Sequence, residues 1–177
     1  MSTTTQRIII IEGHDTSGKT HIASALSKEL NIPVFKASRD KHWWDPMVNL
    51  LYFSEGISQF IEQTGTSVIL DRWMPSDYMY SKLFNRDISY HKIWELDHRF
   101  AKLNTLLIVC YKDAEKYIDD KVDFEFVDKT MYSKMTDLYH QYVETTQLRH
   151  VLILNTSSED IETQLYTITN YLKDNGL

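Results

Sequence analysis

One cysteine, Cys110, is all that the chain contains, so neither an internal disulfide nor a cysteine-rich zinc site can be built. Cys110 lies in the apolar run Leu106 to Tyr111, where a buried, unreactive thiol is expected. Long hydrophobic stretches are missing too. Met1 to Gln6 is polar and uncharged, and the apolar run behind it is too short for a signal peptide or a membrane span. No membrane partner and a cytoplasmic location are therefore expected. Nor is there a surplus of positive charge. A net charge of −6 argues against a surface that holds nucleic acid through its phosphates, because such binding is mostly cationic. No internal repeat and no low-complexity segment interrupts the chain.

What is present fits one domain. A length of 177 residues allows a sizeable core and leaves little room for a second unit, so 1–177 is read as a single domain. Arg7 to Glu12 is a β-branched run without alternation, the pattern of a strand buried on both faces. Pro33 to Ala37, Ser67 to Asp71, Thr105 to Tyr111 and Val151 to Asn155 are further strand candidates. Helical spacing is read over Lys19 to Leu30, Pro46 to Thr64, Ser89 to Asn104, Val127 to Gln147 and Ser158 to Lys173. A short helix is expected over Asp113 to Asp119, Gly56 weakens the second long one, and Ser158 is placed to cap the last. Apolar strands alternating with helices predict an α/β fold of three layers, a five-stranded parallel sheet covered on both faces. Ligands of such sheets bind beyond the carboxyl ends of the strands.

A phosphate cradle sits at the first of those ends. Gly13-His14-Asp15-Thr16-Ser17-Gly18-Lys19-Thr20 matches G-x-x-x-x-G-K-[ST] at every fixed position. Gly13 lets the chain turn out of the strand, and Gly18 lets backbone N–H groups close around phosphate oxygens. Lys19 supplies a point charge to the β and γ phosphates, and the Thr20 hydroxyl can ligate Mg²⁺. The helix that follows presents its positive end to the same anion. His14 is expected to be an exposed loop side chain. The motif predicts a three-layer P-loop NTPase fold that binds a nucleoside triphosphate with Mg²⁺.

A second motif narrows the chemistry. The strand SVILD ends in Asp71, a carboxylate suited to anchor Mg²⁺, and Arg72 follows at once with a guanidinium that can grip phosphate bidentately. Together, Glu12-Gly13-His14-Asp15-x-x-Gly18-Lys19-Thr20 and Asp71-Arg72-Trp73-x-x-Ser76-x-x-x-Tyr80 resemble the signatures of the thymidylate kinase and deoxynucleoside kinase group. The stretch DRWMPSDYMYSKLFNR looks like small virus-type members of it. These motifs span only a small part of the chain, although the order of elements is compatible over nearly all of it.

The resemblance implies roles by position. Asp15 would face the sugar of an acceptor nucleotide, Arg72 would hold acceptor or transferring phosphate, and Asp71 would serve the magnesium side. Trp73, Ser76, Tyr78 and Tyr80 would line the acceptor pocket, and Arg39 is the nearest match to an arginine that touches the acceptor phosphate. At most one of Trp43 and Trp44 could stack on a base, since neighbouring helical residues point apart. The resemblance also implies a lid over about 113–128 and a homodimer. One departure stands out. Members of the group carry arginines in the lid or in the cradle, whereas 113–128 offers only Lys116 and Lys121 and the cradle has His14. Such an arginine is worth about 10³–10⁵ in rate. Arg72, Arg86, Arg39 or the two lysines are left to replace it.

The leading expectation is a nucleotide kinase that moves the γ-phosphate of ATP to a deoxynucleoside monophosphate, thymidylate first. A deoxynucleoside kinase is the nearest variant. Its neutral hydroxyl acceptor wants a carboxylate base near the end of the second strand, where only Asp40 is available. A kinase acting on a hydroxyl within DNA, or a P-loop module that merely binds nucleotide, are the readings from other classes.

Overall fold

The computed structural model describes residues 6–36, 46–116, 120–122, 125–127, 129–157 and 160–177. Its centre is a run of four isoleucines. Ile8 to Ile11 lie in strand β1 (Ile8–Gly13), and all four are fully buried. Successive side chains of a strand point to opposite faces, so an unbroken apolar run requires cover on both. β1 supplies it by sitting mid-sheet. On one side it pairs in parallel with β3 (Val68–Asp71), which pairs with β2 (Val34–Lys36). On the other it pairs with β4 (Thr105–Tyr111), which pairs with β7 (His150–Asn155). The order is β2-β3-β1-β4-β7, all parallel, and the expected five-stranded sheet is what forms.

Strand parity divides the core. Ile9, Ile11, Ile69, Leu106, Ile108 and Cys110 face α1 (Lys19–Leu30) and α6 (Ile161–Asp174), meeting Ile22, Leu26, Ile168 and Leu172. Ile8, Ile10, Leu70, Leu107 and Val109 face the opposite layer, formed by α2 (Pro46–Thr64), α3 (Met74–Leu83), α4 (Tyr90–Ala101) and α5 (Lys129–Thr145). There they meet Ile61, Met79, Ile93, Phe100, Met135 and Tyr142. Asp97 on α4 is buried among these side chains and is satisfied by the Tyr142 hydroxyl at 2.6 Å, the Gln147 amide at 2.8 Å and the Thr146 hydroxyl. Those bonds fix the chain as it leaves α5.

Several boundaries differ from expectation. α2 runs through Gly56 without a break, and nothing lies near that position to be disturbed. α6 begins at Ile161 with Asp160 as its cap, the carboxylate accepting from the Thr163 amide at 2.8 Å; Ser158 lies outside the described residues. Within 113–128 a 3₁₀ turn forms at Ala114–Lys116, residues 117–119 of the expected helix lie outside the described residues, and an antiparallel pair follows, β5 (Asp120–Val122) with β6 (Glu125–Val127). The sequence there alternates Lys121, Asp123 and Glu125 with Val122, Phe124 and Phe126, which is a strand period.

Candidate active site

β1 delivers the chain to the cradle at a point that only glycine can occupy. Gly13 has φ +134°, and a Cβ there would stand 1.8 Å from the carbonyl oxygen of Cys110 on β4. Close approach to the neighbouring strand therefore demands this glycine, beyond the turn itself. The loop closes with a Ser17 amide to His14 carbonyl bond of 3.3 Å and with Thr16 and Gly18 at positive φ. Gly18 caps α1 without any side-chain bond, so the first-turn amides of that helix remain open to an anion. The Thr16 hydroxyl is buried without a hydrogen-bond partner, an orphan donor inside the cradle.

Lys19 is buried and arches back over the loop, donating to the His14 carbonyl and, at 3.4 Å, to the Ser17 hydroxyl. Burial, then the nearby Arg72 guanidinium, push its pKa down to about 7, with Asp15 working the other way. An ammonium so short of counter-charge is ready for a polyanion. Thr20 at the start of α1 donates to Oδ2 of the buried Asp71 at 2.7 Å. Beside this pair stands Lys36, whose Nζ is 3.2 Å from Thr20 Oγ1 and 3.7 Å from Asp71 Oδ2. Lys36 and Asp71 are register partners across β2 and β3. A hydroxyl and a carboxylate oxygen already facing one cation form a donor set that fits magnesium, which prefers oxygen ligands and one or two carboxylates. Among the described residues no cluster of three or more His, Cys, Asp and Glu could hold a metal by itself.

The other wall of the cradle is an ion-pair network. Arg72 has φ +70°, a left-handed conformation unusual for arginine, and its amide donates to the Ile11 carbonyl at 3.0 Å. That turn swings the guanidinium over the loop, where Nη2 pairs with Asp15 and Nη1 donates to Ser76 Oγ at 3.3 Å and Tyr80 Oη at 3.2 Å. Tyr80 donates to the second Asp15 oxygen at 2.7 Å. Burial opposes the guanidinium charge, yet Tyr80, Tyr139, Asp15 and Glu12 outweigh it and raise the Arg72 pKa. Burial raises the Tyr80 pKa above its ordinary value, so the phenol stays a neutral donor.

Beneath the network lies a residue that the motif includes without explaining. Glu12, fully buried at the end of β1, accepts from the Trp73 amide at 2.6 Å, the Ser76 amide at 3.2 Å and the Ser76 hydroxyl at 2.5 Å. It is the N-terminal cap of α3, lent by another strand. Tyr139 of α5 adds bonds to Glu12 at 3.4 Å and to the Gly13 carbonyl at 3.1 Å. Burial raises the Glu12 pKa, against the pull of Arg72 and the bonds from Ser76 and Trp73.

The structure thus brings together Asp15, Lys19, Thr20, Asp71, Arg72, Ser76 and Tyr80. It directs two expected pocket residues elsewhere. Trp73 is 2% exposed and packs edge-on against Phe35 and Phe100, while Tyr78 joins Tyr90, Trp94 and Tyr142 in the core. Residues 76 and 80 share a helix face and 78 does not. His14, expected outside, is 2% exposed; its ring lies 4.5 Å from that of Tyr132, and Nε2 is 3.1 Å from Thr136 Oγ1. The helix after β6 covers it. Arg39, Asp40, Trp43 and Trp44 lie outside the described residues. Lys116 is committed to the Ser157 carbonyl at 2.7 Å, and the Arg86 guanidinium sits 5.0 Å from the centre of the Phe84 ring.

Known structures share this arrangement of elements. YorR of Bacillus subtilis, solved with phosphorylated GDP, superposes with a TM-score of 0.73 at 20% identity over 94% of this chain and 95% of that one. Thymidylate kinase of Candida albicans gives 0.70 at 16% identity, covering 97% and 93%. Deoxyadenosine kinase of M. mycoides with bound dATP gives 0.67 at 14% identity, covering 94% and 99%. The fold is that of the thymidylate and deoxynucleoside kinases. Neither a family model nor a curated protein matches the sequence. The kinase fold therefore rests on the arrangement of elements, at identities of 14–20%.

Proposed function

We propose that the chain is an ATP-dependent kinase that transfers the γ-phosphate to the phosphate of a deoxynucleoside monophosphate, with thymidylate the first candidate. The observation that carries the reading is the Asp15–Arg72–Ser76–Tyr80 network on the rim of a complete phosphate cradle. A cradle alone binds nucleotide; a paired guanidinium facing it gives an acceptor phosphate somewhere to dock. A hydroxyl acceptor wants a carboxylate base near the end of β2, where the sequence offers only Asp40, outside the described residues.

In this reading the α1 amides and Lys19 hold the β and γ phosphates, and the Thr16 hydroxyl gains a partner. Thr20 and Asp71 would hold magnesium, which neutralises charge on the phosphates when bound. Arg72 steers the acceptor phosphate into line, and Asp15 with Tyr80 contacts its sugar. One acceptor oxygen attacks the γ-phosphorus while the bond to the bridging oxygen of the β-phosphate breaks. ADP leaves with that electron pair. No strong base is needed, because the attacking oxygen is already anionic. Segment 113–128 serves as the lid of this single domain.

Incubation with γ-labelled ATP and Mg²⁺ against deoxynucleosides, their monophosphates and DNA tests the reading. Label should appear in a deoxynucleoside diphosphate. Label confined to nucleoside monophosphates or to DNA would move the acceptor to a hydroxyl. Lys19→Ala should lower transfer at least ~10³-fold with an unchanged circular dichroism spectrum, and undiminished transfer in that variant would contradict the assignment.

A further inference from the structure

The cations around the cradle differ in how firmly they are held. Arg72 is tied to Asp15, Ser76 and Tyr80, Lys19 to the His14 carbonyl and Ser17, and Lys116 to the Ser157 carbonyl. Lys36 is held only loosely by comparison. Its side chain is 54% exposed while the carboxylate it faces is 2% exposed, and its ammonium lies 3.2 Å from Thr20 Oγ1 and 3.7 Å from Asp71 Oδ2. An exposed lysine in such a pair is weakly bound and easily released. Its two partners are the oxygens that suit magnesium.

A divalent ion and an ammonium cannot share those oxygens, because like charges a few ångströms apart repel strongly in a partly dry site. We propose that Lys36 is a movable cation. Its ammonium shields Thr20 and Asp71 in the nucleotide-free protein, then gives up these oxygens and pairs with a phosphate oxygen of the seated substrates. The flexible four-carbon stem permits this, since a lysine acts as a point charge needing no fixed fork geometry. It also answers the sequence's missing arginine. Where cations of the lid are scarce, the end of β2 provides one, and it reaches phosphate only once the metal position has been filled. That order of events would keep the compensating charge away from an empty or metal-free site. The inference rests on the kinase reading for its second half only; the shielding half concerns the free protein.

Two measurements separate the halves. Binding of Mn²⁺ alone to nucleotide-free protein, followed by the loss of the free-ion electron paramagnetic resonance signal, should be on the order of tenfold tighter in Lys36→Ala than in the parent. Turnover with Mg·ATP and the acceptor found above should fall about 10–100-fold in Lys36→Ala, chiefly in kcat, with most of it restored in Lys36→Arg. Unchanged or weaker Mn²⁺ binding would overturn the shielding role. Tighter Mn²⁺ binding with undiminished kcat would overturn the transfer to phosphate. Absence of turnover in the parent protein with every acceptor would sink the kinase reading and leave the Mn²⁺ result to decide the shielding role alone.

Discussion

At the scale of single residues, the cradle is governed by two groups that burial deprives of charge. His14 has its pKa pushed down to about 4 from an ordinary 6.5, by burial first and by Lys19 second. A depressed histidine value means that the unfolded chain binds more protons between those two pH values. Stability therefore falls as pH drops from about 6.5 to about 4, by up to ~3 kcal/mol. Urea midpoints of the parent and of His14→Asn should converge toward acid and diverge toward neutrality, and a parallel pH dependence in both would refute the role of the ring. Lys19 behaves oppositely with respect to ligand. With a free-protein pKa of about 7, it must take up a proton to meet a polyphosphate above neutrality. Calorimetry of ATP binding at pH 8 in buffers of different ionisation enthalpy should show net proton uptake. Affinity should fall as pH rises from 7 to 8. Gly13 was legible from the motif, but its reason was not: the nearness of the Cys110 carbonyl is a property of two paired strands. Gly13→Ala should cost on the order of 3 kcal/mol or more, read as a loss of soluble, cooperatively unfolding protein.

At the scale of elements, the apolar strands and the long amphipathic helices were readable because each repeats one period over many residues. α3 was not. Met74–Leu83 has polar residues buried on nearly every side, and its start is fixed by Glu12 from β1 and by no cap of its own. The pair β5–β6 was missed because a few residues of alternation were outweighed by the charged composition around them. Likewise the burial of His14 depends on α5, far away in sequence, and Lys36 meets Thr20 and Asp71 only through strand register. The α3 cap yields a prediction of its own. Glu12→Ala strands the Trp73 amide and the Ser76 hydroxyl, which should destabilise the protein by about 3 kcal/mol. Because α3 carries Ser76 and Tyr80, a milder Glu12→Gln should raise KM for the acceptor more than KM for ATP. Equal changes in both would show the cap to be merely structural.

At the scale of the whole molecule, β1 lies between two apolar layers that no other strand touches so completely. Ile9 serves the α1 and α6 side and Ile10 the α2–α5 side, each with no exposed surface. Replacing either by Ala should cost about 2–5 kcal/mol. Both losses should appear as one transition in which tryptophan fluorescence and far-ultraviolet dichroism coincide. Trp73 and Trp94 both report from the second layer, so a separate unfolding of the first would be seen as a mismatch. The fold class was accessible from the alternation of strands and helices; the order β2-β3-β1-β4-β7 was not, since sequence spacing does not say which neighbour a strand chooses.

The Tyr132 hydroxyl donates to the Lys112 carbonyl. That bond joins the start of α5 to the chain leaving β4, and His14 sits edge-on to the same tyrosine, its ring 4.5 Å away. One tyrosine thus ties the chain after β4, the helix α5 and the histidine of the phosphate loop together. Tyr139 of the same helix holds Gly13. Two tyrosines of a single helix therefore brace the loop, so that a change in α5 would be felt by the amides of the cradle.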